Sequence, residues 1–256
     1  MTTIIAAIDD SAAAQPVLAT ALAIAPLLDA HVRAVHVAPD GGDGQTTQAA
    51  AHAMNIPLDL VHGDPFEEIV RLVDTDEVVA VVLGARARPT GRRPAGHLAL
   101  ALASKIVKPV VMVPPDARPP ARIRRVLVAM AGTTHKARDM LRVIELGVAA
   151  DLELVVVHVN DEESIPSFCD QVQYETEAYA KEFLARYLPR APEAELHLRV
   201  GVPVDEILAA ADDFAPDMLA IGWPQTDDPT RGDVARELVN RSRLPLLLVA
   251  VTDRSI

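Results

Sequence analysis

Between Gly84 and Gly96 the chain places Arg86, Arg88, Arg92 and Arg93, four guanidiniums within eight residues, and His97 follows directly. Arginine forks pair bidentately with phosphate oxygens, and an imidazole adds a donor, more strongly when protonated. On an acidic protein such a cluster is suited to a polyphosphate. A solvated loop without a ligand is the competing explanation. Asp9-Asp10-Ser11 closes the first apolar run; the two carboxylates could hold Mg²⁺ beside such an anion, or they could cap the following helix.

Other constellations have plainer readings. His36 and His158 end matching strands, so a shared structural role is favoured over a metal or catalytic one. Asp161-Glu162-Glu163 fits a solvated acidic turn better than a cation site. Cys169 has no basic neighbour in sequence and reads as an ordinary thiol. Tyr174, Glu175, Glu177 and Tyr179 fit an amphipathic helix, with a partner surface as the alternative. There is no G-x-S-x-G elbow, no G-x-x-x-x-G-K-[ST], no metal-ligand spacing and no nucleophile beside a base. The expectation is a protein that binds rather than an enzyme.

The elements that must position these residues are spelled twice. His36-Val37 aligns with His158-Val159 at an offset of 122. Gly63, Pro65, Glu68, Ile69 and Gly84 align with Gly201, Pro203, Glu206, Ile207 and Gly222 at 138, and Gly96 and Pro109 with Gly232 and Pro245 at 136. In the first copy, short continuous apolar runs predict strands at Ile4–Ile8, Val32–Val37, Leu58–His62, Val78–Leu83 and Val110–Val113. The second copy predicts them at Val126–Met130, Glu153–Val159, Glu195–Val200, Met218–Ile221 and Leu246–Val251. Helical stretches alternate with these runs, the pattern of a parallel sheet covered on both faces. Asp64 reads as an N-cap with Pro65 first in its helix. An insertion at Phe168–Leu188 predicts a longer helix. Four prolines within Pro114–Pro120 read as an extended, semi-rigid linker. The expected units are 1–115, a linker at 116–122, and 123–256.

Half of the 256 residues are hydrophobic and only 3% are aromatic, so the core is aliphatic. The net charge is −12. Residues 1–121 carry nine basic against thirteen acidic side chains, and residues 122–256 fifteen against twenty-three. Both halves are acidic, which argues against nucleic acid as a partner. No apolar run approaches the roughly 18–20 residues of a membrane span. One cysteine and no basic stretch before the first apolar run are compatible with a reducing cytoplasm.

On these residues the chain resembles the universal stress protein family in its tandem form. Ala7-Ile8-Asp9-Asp10-Ser11 is close to the family's A-[VI]-D-x-S, and Val35-His36-Val37 to its L-x-H-V. Gly63-Asp64-Pro65-Phe66-Glu67-Glu68-Ile69 looks like its G-x-P-x-x-x-I. Gly96 to Pro109, with Val110-Val111-Met112-Val113, matches its G-[ST]-…-P-V-L-V-V end. The resemblance implies two tandem five-stranded parallel-sheet α/β domains, doubly wound and adenine nucleotide alpha hydrolase-like. They would pack as a pseudo-dimer in which Val110–Val113 meets Leu246–Val251, and a homodimer of the whole chain and an unidentified protein partner remain open. It further implies a stress-response role, and ATP as the ligand of some members, with phosphates wrapped by G-x2-G-x9-G-[ST].

Carried over by that resemblance, the candidate site comprises Ala7, Asp9, Val37, Leu83, Gly84, Arg86, Ala87, Gly96, His97 and Leu98. Asp9 would contact the nucleoside and Val37 the base. The first copy departs from the pattern at three points. Ala87 replaces the second glycine, the spacer to Gly96 is eight residues, and His97 replaces the hydroxyl. The second copy departs further: Ala131 stands for Asp9, Trp223-Pro224-Gln225 follows Gly222, and Asp233 follows Gly232. A carboxylate there repels phosphate. The expectation is at most one degenerate ATP site, in the first copy, with a nucleotide-free scaffold as the alternative and a slow ATPase behind both.

Overall fold

The computed structural model describes residues 2–38, 44–85, 96–118, 120–130, 134–160, 185, 195–225 and 232–251, with the backbone alone at 134–139 and 142. The apolar runs form strands β1 Thr2–Ala7, β2 Ala30–Ala38, β3 Leu58–His62, β4 Val78–Gly84 and β5 Val110–Val113 in the first half. In the second half they form β6 Arg125–Ala129, β7 Glu153–Asn160, β8 Glu195–Val200, β9 Met218–Pro224 and β10 Leu246–Val251. Helices connect them: α1 Ala14–Ile24, α2 Gln45–Ala53, α3 Pro65–Val73, α4 His97–Lys105, α5 Thr134–Ala149, α6 Pro203–Phe214 and α7 Asp233–Arg241.

All ten strands belong to one sheet, ordered β3-β2-β1-β4-β5-β10-β9-β6-β7-β8. Each half is a doubly wound parallel five-strand order, and the two halves join where β5 and β10 run antiparallel. There Leu246 lies opposite Met112 and Leu248 opposite Val110. The expected pseudo-dimer contact is therefore a continuous ladder of backbone hydrogen bonds. Within each half the strand order reverses between the first and fourth strands, β1/β4 and β6/β9. At such a switch point the helices leave in opposite directions and open a crevice at the strands' carboxyl ends.

The pleat sends alternate strand residues to opposite faces, and the two faces have separate cores. Ile4, Val111, Val128 and Val249 pack with Leu18 of α1, Ala51 of α2 and Ile144 of α5. Ile5, Met112, Leu127 and Leu246 pack on the other face with Ile69 of α3, Leu102 of α4, Ile207 of α6 and Leu238 of α7. Each core draws residues from both halves of the chain.

Two local expectations change. The Asp9 and Ser11 side chains do accept backbone N–H groups, from Ser11 and Ala13 respectively. They order the turn before α1, however, and the α1 N-cap is Ala13 with no side-chain bond. The proline-rich segment does not run extended. Ala117 N–H donates to Pro114 O at 3.1 Å, a turn that buries Ala117, and Ile123 beyond it is buried too. The predicted helix at Phe168–Leu188 falls outside the described residues apart from 185.

Candidate functional site

In the first half, the β1/β4 crevice gathers the end of β1, the end of β4 and the start of α4. Ala7 pairs with Leu83, and Gly84 with Val113, which sets the strand ends level. Ala85 extends β4 by one rung, its N–H donating to Val113 O at 2.8 Å. Its carbonyl then accepts Gly96 N–H at 3.1 Å. That bond brings the α4 N-terminus against the end of β4 across the ten intervening residues (86–95). Gly96 is the N-cap of α4 and offers no side chain to its first turn. The amides of His97, Leu98 and Ala99 have no acceptor among the described residues, and a Cβ built on Gly96 would meet nothing within 4 Å. An uncapped helix start facing open space attracts anions, because three N–H dipoles and the helix field point outward.

The glycine at the end of β4 has a different reason. A Cβ on Gly84 would come within 3.1 Å of the Ala13 methyl, so the absence of a side chain lets β4 approach the start of α1. Asp9 is exposed at the crevice mouth; Oδ1 holds the Ser11 amide and Oδ2 has no partner among the described residues. Leu83 is buried at 3% exposure and its side chain belongs to the core under α4, so it supports the crevice from below. His97 and Leu98 are exposed. Arg86 and Ala87, with Arg88, Arg92 and Arg93, lie outside the described residues.

Val37 offers its backbone. Hydrogen-bonding direction alternates along a strand: Ala34 N–H points to β3, where it meets Pro57 O, and Val35 O points to β1, where it accepts Ile8 N–H. Val37 must then turn its N–H and C=O toward β1, but the ladder stops at Ala7. The next carbonyl, Ile8 O, accepts instead from His36 Nδ1 at 3.0 Å. A donor and an acceptor from one residue are left facing the crevice together.

The second half repeats the frame and fills it. Met130 N–H donates to Val157 O, and Met130 O accepts from His158 Nδ1 at 2.8 Å, as in the first half. Both histidines are buried, with their Nδ1 atoms committed to strand carbonyls, which bears out the structural reading. At the other wall the pattern breaks. Trp223, standing where the first half has Ala85, is 1% exposed. A Cβ on Gly232, the N-cap of α7, would lie 3.1 Å from Pro224 Cγ and 3.6 Å from Trp223 Cζ3. The open corner beside Gly96 is here occupied by an indole and a proline ring. Gln225, which aligns with Ala87, crosses to the other half: its Nε2 donates to Ala103 O at 3.0 Å and Ile106 O at 3.2 Å, at the end of α4. Sequence reasoning registered Gln225 only as a missing glycine. Its pairing with Ala87 in the repeat is the one sequence feature that marks the position.

Among the described residues no group of three or more His, Cys, Asp or Glu side chains could hold a metal ion, and no helix is long and apolar enough to cross a membrane.

Solved structures share the architecture along the whole length. A universal stress protein from Archaeoglobus fulgidus DSM 4304 aligns over 97% of this chain and 98% of its own, with TM-score 0.66 at 15% identity. A protein of unknown function from Pseudomonas aeruginosa PAO1 aligns over 98% and 93%, with TM-score 0.72 at 14% identity. A protein from Pseudomonas aeruginosa UCBPP-PA14, provisionally named a universal stress protein, gives 98%, 94%, 0.73 and 13%. At such identities the likeness is one of fold. No curated protein matches the sequence. The sequence model of the universal stress protein family matches residues 122–250, just over half of the chain. With that match in the second half, and a first half that repeats its strand order and its His36 and Gly63-x-Pro65 landmarks, the chain belongs to the universal stress protein family.

Proposed function

We propose that this protein is a stress-response protein that acts by binding, and that its one small-molecule site takes an adenine nucleotide in the first half. The observation that carries the reading is the difference between the two crevices. The α4 start is uncapped and open beside Gly96, whereas the α7 start is packed by Trp223 and Pro224. Phosphates would lie against the amides of His97, Leu98 and Ala99, with the imidazole of His97 as a further donor and Arg86 and Arg88 close in sequence. The adenine edge, an acceptor nitrogen beside an amino group, complements the N–H and C=O that Val37 turns to the crevice. Asp9 Oδ2 would accept from a ribose hydroxyl. The second half binds no nucleotide, and the protein is an intracellular binder without turnover.

Titration of Mg-ATP into the full chain, followed calorimetrically, tests this. The expected result is one site per chain, weakened about tenfold or more by Asp9→Ala, in line with the roughly 1.5–3 kcal/mol of a charged hydrogen bond. Phosphate release should stay at the buffer rate. Absence of binding would sink the nucleotide reading and leave a scaffold whose ligands are proteins.

A further inference from the structure

Gln225 of the second half bonds to the end of the helix that opens the first-half site. A helix leaves its last four carbonyls without intrahelical donors. In α4, Leu102 O is taken by the Ile106 N–H, while Ala103 O and the Ile106 carbonyl just beyond the helix both accept from Gln225. Both partners are acceptors, so the amide must present its nitrogen, and its two hydrogens are both spent. The donor comes from 119 residues further along the chain at Ile106, and from the other side of the β5/β10 junction.

The helix so held is short, nine residues or about 13 Å. It packs against β9 of the second half and against α3 of its own. Fixing its last turn therefore fixes where its first turn points. That first turn carries the open amides of His97, Leu98 and Ala99. At the aligned position of the first copy stands Ala87, which cannot make such a bond. In the second half the residue at that position grips the helix that carries the open amides of the first half.

We propose that Gln225 is a positioning residue for the first-half anion site, so that the second half, itself without a nucleotide, sets the phosphate affinity of the first. This rests on the nucleotide reading above. Because Gln225 acts through α4, whose start faces the phosphates, it should affect the triphosphate and leave the nucleoside contacts at Asp9 and Val37 alone.

The test compares the full chain with Gln225→Met, which keeps the length and loses both donors, and Gln225→Lys, which restores donors where a helix end favours positive charge. Mg-ATP and adenosine are titrated into each, with denaturant unfolding to confirm that each is folded. The expected result is Mg-ATP affinity about fivefold to tenfold weaker in Gln225→Met, recovered in Gln225→Lys, with adenosine affinity equal in all three. Equal Mg-ATP affinity in wild type and Gln225→Met overturns the inference and leaves the nucleotide site standing. Equal loss of Mg-ATP and adenosine overturns it too, since that marks a general structural weakening. Wild-type protein that binds neither ligand overturns the site and the inference together.

Discussion

At the scale of single residues, the histidine pair shows how a catalytic-looking side chain can be a rung. Each parallel ladder runs out one residue after the first strand of its half, where Ile8 O and Met130 O would remain as buried acceptors. The next strand supplies His36 or His158, whose Nδ1–H donates to that carbonyl at 3.0 and 2.8 Å. The imidazole extends the sheet by one bond made from a side chain. Replacing it with leucine keeps the apolar bulk and strands a buried carbonyl, which costs about 1–3 kcal/mol. His36→Leu and His158→Leu should each lower the free energy of unfolding by that amount, measured by guanidinium denaturation. A loss well below 1 kcal/mol in both would show that the rung is dispensable.

At the scale of elements, α3 and α6 are the same helix with different entrances. Gly63 and Gly201 both have φ of +144°, a conformation open to glycine, and Pro65 and Pro203 both follow as first helical residues. The intervening backbone is nearly superposable, φ −72° and ψ 124° at Asp64 against φ −70° and ψ 119° at Val202. Asp64 Oδ1 accepts from Glu67 N–H at 3.1 Å, whereas Val202 caps nothing and is 61% exposed. Val202→Asp should therefore raise stability by about 1 kcal/mol, and Asp64→Ala lower it by about 0.5–2 kcal/mol, both read as a shift in the denaturation midpoint. The added charge is tolerable because Arg241 bonds Asp205 in the first turn of α6 at 2.6 Å. Asp205, with Glu237, raises the Arg241 pKa further above its ordinary value, so the guanidinium stays charged. Destabilisation by Val202→Asp would mean that acidic crowding beside Asp205 and Glu206 outweighs the cap.

At the scale of the whole molecule, the halves recognised by repetition are distinct from the cores. One core lies on each face of the ten-stranded sheet, and each contains residues from both halves. We propose that 1–115 and 123–256, with the linker 116–122, are units of sequence that unfold together. Removing either half would expose the β5 or β10 edge, with its unpaired backbone groups, and the apolar surface on both sides of it. A backbone cut between Arg118 and Arg122, which are exposed, should leave the fragments associated at the size of the intact chain by gel filtration. They should show one cooperative unfolding transition. Separation into two folded fragments would show instead that each half closes its own core.

The sequence by itself determined the ten strands, the parallel character of the sheet within each half, the cap at Asp64 and the helix start at Gly96. All of these follow from local patterns: continuous apolar runs, a proline after a capping residue, a glycine before an apolar helix. The repeat added the pseudo-symmetry, and the family resemblance added the expectation that β5 meets β10. Only the tertiary structure showed that Trp223 and Pro224 close on Gly232 while no described residue closes on Gly96, because that depends on how the chain after each fourth strand folds. It alone turned the proline-rich segment into a buried turn, since Ala117 and Ile123 found apolar surface to cover. And it alone gave Gln225 its partners. The carbonyls of α4 are 119 and 122 residues distant in sequence, and a contact across a pseudo-twofold axis leaves no periodicity to read.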